Sequence, residues 1–202
     1  CIRDRDEINK VKSISIWIFL VPFLAVNACL IMITQFQGLY PNQEEIIHNT
    51  FPYFDGGASI SRTARPYPSW LVFKPAMFFT SFLLIKYWVN NKKIIEFFDF
   101  NQKNKNKIIY FGIASAIALT IHSIFLGIKF DNDIYKLFRR VIMLLFIIFE
   151  IIAQAYLVAT YYSLRNDLAK YISKKFLYAK IILVSILIIV AAISIPIISM
   201  PG

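Results

Sequence analysis

Residues that hold metals or build covalent chemistry are scarce in this chain. It carries two histidines and two cysteines among 202 residues. His48 and His122 lie on different segments and no carboxylate cluster joins them, so no metal site is expected. Cys1 precedes the first apolar run and Cys29 lies inside it, at different depths, which argues against a disulfide; no zinc or haem spacing exists. No nucleophile–base pair is legible. An enzyme is therefore not the leading expectation, and no cofactor is called for. Charge is scarce too: 17% of residues are charged, and the long apolar runs hold almost none of them. What charge there is leans one way, to a net +10. On a soluble domain that excess would raise nucleic-acid binding, but no basic stripe with interleaved aromatics is present, and no nucleic-acid partner is expected. Internal repeats and a signal segment are also missing. The chain begins with Cys1 rather than Met, as expected of a truncated sequence, and residues missing at either end leave room for another span.

What remains is apolar. Hydrophobic residues make up 58% of the chain and the mean hydropathy is +0.59. Five runs, at 13–34, 70–89, 108–128, 138–163 and 176–200, are long and helix-compatible. Crossing a hydrocarbon core takes about 20 residues at about 1.5 Å rise each, and every run suffices. A soluble helix shows one apolar stripe, whereas Ile147, Ile148, Phe149, Ile151 and Ile152 leave no polar face apart from Glu150. A chain of this length cannot bury five such helices on all sides. The expected fold is an all-α, polytopic transmembrane helix bundle of about five spans, forming one domain over 1–202. Membrane lipids are the expected partners, with other membrane subunits beside them. The sequence does not distinguish the plasma membrane from an endomembrane.

Loop charge orients the bundle. Arg3, Arg5, Lys10 and Lys12 precede the first run; Lys92, Lys93, Lys103, Lys105 and Lys107 fill the second connection; Arg165, Lys170, Lys174 and Lys175 fill the fourth. The opposite side holds Arg62 and Arg65, then Lys129, Lys136, Arg139 and Arg140. The first side wins by about two to one, which by the positive-inside rule puts the N-terminus in the cytoplasm. Trp70, Tyr87, Trp88, Tyr110, Tyr161 and Tyr162 fall near span ends as interfacial anchors.

The connection at 35–69 is the longest, and a loop of that length is usually functional or disordered. Leu39, Tyr40, Ile46, Ile47, Phe51, Tyr53 and Phe54 favour packing back onto the bundle. Asp55-Gly56-Gly57 is a turn signal. Ser61 offers a hydroxyl, and Arg62 and Arg65 offer guanidinium groups suited to phosphate. Lys74 follows closely, so Asp55, Ser61, Arg62, Arg65 and Lys74 are the candidates for a lipid- or phosphate-facing site. The plainer reading is a structured cap with Asp55 on one arginine and ordinary snorkelling by Lys74.

Pro52, Ile60-Ser61, Pro66, Pro68 and then Val72-Phe73 opening a span are similar to the family that includes the damage-regulated autophagy modulators and the GPI-anchor remodelling membrane proteins. That family has a Pro-x-Ile-Ser type motif after its first span, then a proline and an apolar helix. Here seven residues separate Pro52 from Ile60 where the family has a single one, and the family usually has more spans than are read here. The resemblance covers this loop and the general span layout. It implies an all-helical membrane protein and a role in lipid or lipid-anchor handling or in membrane trafficking.

Polar residues at membrane depth form the second candidate set. Glu150 sits near the centre of the fourth run, where an ionisable side chain is expensive and marks a site by default. Gln154 is four residues on and shares its face. Arg140 begins the same run, His122 lies in the third and Asn27 in the first. Together they are candidates for one polar seam. Glu150 reads as interhelical glue in its neutral form, as a proton or cation site in a transport path, or as a catalytic acid or base. Ser115 and the small residues Gly112, Ala114, Ala116 and Ala118 read as helix packing. Three functions follow: lipid handling or membrane organisation, a small transporter or channel-like protein using Glu150, or an accessory subunit of a membrane complex.

Overall fold

The computed structural model describes residues 2–42, 60–128 and 133–199. Among them the elements are α1 (Ile2–Gln35), a 3-10 turn (Gln37–Leu39), α2 (Ile60–Thr63), α3 (Ser69–Phe98), α4 (Lys105–Phe125), α5 (Asp133–Ser163), α6 (Arg165–Leu168) and α7 (Lys174–Ser199). No strand occurs among the described residues. Helices α1, α3, α4, α5 and α7 are each long and apolar enough to cross a membrane. The all-α bundle is thus as expected, and its five long helices fit a multi-pass integral membrane protein.

The helices overrun their apolar runs. α1 starts at Ile2 and passes through Arg3, Lys10 and Lys12; α3 continues past Lys92 and Lys93 to Phe98. Lys, Arg and Glu are good helix formers, so leaving the hydrocarbon does not end a helix. At 30 residues α3 reaches about 45 Å, half as long again as a hydrocarbon core of about 30 Å. Local signals set the ends instead. α3 opens behind Pro66 and Pro68. α4 stops at Leu126-Gly127, where Gly127 has φ 87°, the left-handed conformation that terminates helices. A Cβ on Gly127 would lie 3.3 Å from the Arg65 carbonyl oxygen, so this turn also packs tightly beneath the segment after α2.

Consecutive long helices pack on one another: α1 on α3, α3 on α4, α4 on α5, and α7 chiefly on α5. Cross-contacts define two ends of the up-and-down bundle. At the N-terminal end Lys12 Nζ donates to the Tyr171 carbonyl (3.3 Å), Phe98 meets the Tyr171 ring, and Gln102 donates to Ser163 Oγ (3.4 Å). At the loop end Cys29 Sγ donates to the Ser69 carbonyl (3.4 Å), Lys74 Nζ to the Ile124 carbonyl (3.2 Å) and Tyr135 Oη to the Phe125 carbonyl (2.6 Å).

The core lies where α3, α4 and α5 meet. Trp88, Ile95, Ile108, Ala116, Leu119, Ala153 and Leu157 are buried there. Gly112 on α4 faces Trp88 so closely that any Cβ would overlap the indole ring. The outer faces are apolar as well: Phe19, Phe23 and Leu24 on α1 and Ile182, Leu183, Ile186 and Ile189 on α7 are exposed. Such a surface would drive association in water, whereas acyl chains match it. In the 35–69 connection, Tyr40 is buried beside Ile33 and its hydroxyl shares a hydrogen bond with Ser69 Oγ. Burial pushes the Tyr40 phenol above the ordinary tyrosine range, and the Ser69 contact opposes that shift.

Candidate functional site

Helix α5 carries a polar stripe on an otherwise apolar rod. Eleven residues at about 3.6 per turn bring a side chain to within about 20° of its starting direction. Arg139, Glu150 and Tyr161 repeat at that interval, and Gln154 and Leu157 fall between on the same face. This face meets α4 and α3. The result is three polar levels through the bundle, with Glu150 in the middle.

At the middle level the Glu150 carboxylate is held at both oxygens. Gln154 Nε2 donates to Oε1 (2.9 Å) and Ser115 Oγ lies 2.7 Å from Oε2. Ser115 Oγ also lies 2.8 Å from the Gly112 carbonyl. A hydroxyl has a single proton and two lone pairs, so Ser115 donates to one of these oxygens at a time. With Glu150 ionised, Ser115 donates to the carboxylate. With Glu150 protonated on Oε2, the carboxyl donates to Ser115, which donates in turn to Gly112. The geometry therefore satisfies Glu150 in both protonation states. The Lys180 ammonium is close enough to act electrostatically on this carboxyl. Glu150, Gln154 and Lys180 are half-buried, on the flank of the bundle.

Toward the N-terminal end the polar track continues. Lys180 Nζ on α7 donates to Tyr87 Oη (3.0 Å). Tyr161 Oη donates to Asn91 Oδ1 (2.5 Å), and Asn91 Nδ2 donates to the Tyr87 carbonyl (2.8 Å). Tyr87, Asn91 and Tyr161 are buried. The Trp88 Nε1 and Thr160 Oγ1 atoms are buried without a hydrogen-bond partner among the described residues.

Toward the loop end, His122 on α4 lies close enough to Arg139 on α5 to interact electrostatically with it. His122 Nδ1 and Arg139 Nε are buried without a hydrogen-bond partner among the described residues. Arg140, singled out from the sequence, is exposed; its neighbour Arg139 is the arginine on the Glu150 face. Asn27 donates to the Phe23 carbonyl of its own helix (2.7 Å), and α1 packs on α3 rather than α5. The structure thus joins Glu150 with Gln154 and leaves Asn27 and Arg140 elsewhere.

The outer basic candidates are also placed. Lys74 Nζ caps the last turn of α4 at Ile124 and lies 5.4 Å from the Trp70 ring centroid. Arg65 is half-buried above Gly127, at the same end of α4, while Arg62 is exposed. Lys74 thus places a cation where the α4 carbonyls carry partial negative charge, and the Arg65 backbone packs on the turn that follows. Asp55 and His48 lie outside the described residues, and of Ser61 only the α2 backbone is described.

Sequence reasoning placed Tyr87, Trp88 and Tyr161 at span ends as interfacial anchors, whereas the structure buries all three between helices; it missed Asn91 and Lys180, and took Ser115 for packing alone. The eleven-residue repeat on α5 was the available signal for Arg139 and Tyr161. A lysine six residues inside the last span was the signal for Lys180. Among known proteins, no family model, no curated protein and no solved structure matches this chain.

Proposed function

We propose that this multi-pass membrane protein binds and passes a proton, or a small cation in its place, at Glu150. The observation that carries the reading is the two-way Ser115 hydroxyl, which with Gln154 gives each Glu150 oxygen a hydrogen-bond partner whether Glu150 holds a proton or not. A group serving only as glue needs one satisfied state. Lys180, Tyr87, Asn91 and Tyr161 supply polar atoms from mid-span toward the N-terminal end, and His122 with Arg139 supplies them on the other side. With the N-terminus in the cytoplasm, as loop charge favours, the lysine side of the track is cytoplasmic. The test is purified protein in liposomes holding a pH-sensitive dye, under imposed proton and sodium gradients. Wild type should dissipate one gradient faster than empty liposomes, and Glu150→Gln, which still accepts and donates hydrogen bonds, should not. Equal flux from wild type and Glu150→Gln would defeat the proposal.

A second reading is lipid or lipid-anchor handling, as the resemblance to the autophagy-modulator and GPI-anchor remodelling family implies. Lys74 at the end of α4 beside Trp70, with the Arg65 backbone packed on the following turn, favours it. It requires that replacing Lys74 and Arg65 by Gln lowers binding of an anionic phospholipid while leaving Glu150-dependent flux intact. Unchanged lipid binding would remove it.

A further inference from the structure

A cleft of about 350 Å³ opens between α1 and α3 at the N-terminal end, lined by Glu7, Ile8, Lys93, Ile94, Glu96, Phe97 and Phe98. It belongs to neither the Glu150 track nor the loop-end cations. Its walls combine both charge signs with apolar surface. Glu7 uses one carboxylate oxygen, Oε1, for Lys10 Nζ (3.1 Å). The other, Oε2, is buried without a hydrogen-bond partner among the described residues. A buried carboxylate oxygen left without a donor is costly, so this atom is open to an N–H or O–H donor. Glu96 sits between Lys92 (3.9 Å) and Lys105 (3.6 Å). Lys93 is exposed at the cleft and forms no ion pair among the described residues. Counting Lys10, Lys92, Lys93 and Lys105 against Glu7 and Glu96, the surround is cationic, which suits a phosphate. Ile8, Ile94 and Phe97 add apolar surface to the walls.

We propose that this cleft binds the headgroup of a phospholipid carrying a primary ammonium, with the ammonium donating to Glu7 Oε2 and the phosphate on Lys93. The volume lies within the range of small-ligand sites, about 300–1,000 Å³. Lys93 lies four residues past the end of the apolar run at Val89, so the cleft sits at headgroup depth and the acyl chains pass back along α3 toward Val89. A choline headgroup has the same charges but no N–H to donate, so it leaves Glu7 unsatisfied. A glycerol headgroup brings hydroxyl donors without the positive charge.

The test is native mass spectrometry of the full chain, delipidated in detergent and titrated with phosphatidylethanolamine, phosphatidylcholine and phosphatidylglycerol of identical acyl chains. The ethanolamine lipid should bind at least tenfold more tightly than the choline lipid. Glu7→Gln should erase that preference, and Lys93→Met should weaken both lipids together. Both positions touch water, and gel filtration of each variant reports whether the fold survives. Equal binding of ethanolamine and choline lipids by wild type, or a preference that persists in Glu7→Gln, would overturn the proposal. So would full displacement of the lipid by an equal concentration of soluble O-phosphoethanolamine, which would make the occupant a free phosphoamine. A preference for the glycerol lipid would show that a hydroxyl, not an ammonium, meets Glu7, and would also refute it.

Discussion

Replacing Gly112 by Ala should loosen the bundle, although alanine is the better helix former. The added methyl has nowhere to go: its position falls on the Trp88 indole, at ring atoms that include the one joined to the side-chain Cβ. Trp88 is wholly buried, with Ile95 and Ile108 among its core neighbours, so the ring cannot swing aside. Relief requires α3 and α4 to part. Overpacking of this kind costs about 1–3 kcal/mol, and glycine-to-alanine in a helix returns up to about 1 kcal/mol. Because the overlap is with the root of a rigid ring, the upper end applies, for a net loss of about 2 kcal/mol, or about 30-fold in the unfolding equilibrium. The assay is unfolding in mixed micelles titrated with sodium dodecyl sulfate, followed by tryptophan emission. Gly38→Ala is the control, since nothing lies within 4 Å of a Cβ there. In a Trp88→Ala background the same Gly112→Ala change should lose its penalty. Wild-type stability of Gly112→Ala, or an equal penalty in both backgrounds, would refute the steric argument.

Tyr161→Phe removes the donor to Asn91 Oδ1 and should cost about 0.6–1.7 kcal/mol, from the average to the largest polar interaction measured between helices in bilayers. Asn91→Ala also loses its bond to the Tyr87 carbonyl, so its penalty should persist in the Tyr161→Phe background but be smaller than in wild type by the shared bond; an equal penalty in both backgrounds would contradict the pairing. Lys180→Met cuts the hydrogen bond that α7 makes to α3 and should raise hydrogen exchange of α7 amides above that of α5, while Lys180→Arg should not. Equal exchange in all three proteins would show that apolar packing alone holds α7.

The bundle was legible because lipid imposes a crude rule: length and hydropathy alone mark a spanning helix, and Phe138–Ser163-type runs leave little to decide. Helix ends were less so. The apolar signal stops at the hydrocarbon edge near Val89, while the hydrogen bonding of α3 continues to Phe98 through residues that favour helix in water as well. In the candidate site, Glu150 and Gln154 were legible, since four residues fix a shared face whatever the neighbours do. Their partners on other helices were not. Ser115 meets Glu150, and Lys180 comes near it, through the rotation of α4 and α7, which sequence spacing within one helix does not encode. The choice between Arg139 and Arg140 turned on one residue of helical phase: ten residues miss the Glu150 face by about 80°, and eleven restore it.

The repeat along α5 has a mechanical consequence. Its three polar groups ride a single stiff rod, so none of them can change direction alone by backbone motion. A small twist of that rod swings the guanidinium, the carboxyl and the phenol the same way at once. Whatever pulls on Arg139 at one water boundary is thereby transmitted to Tyr161 near the other, with no relay of side chains in between.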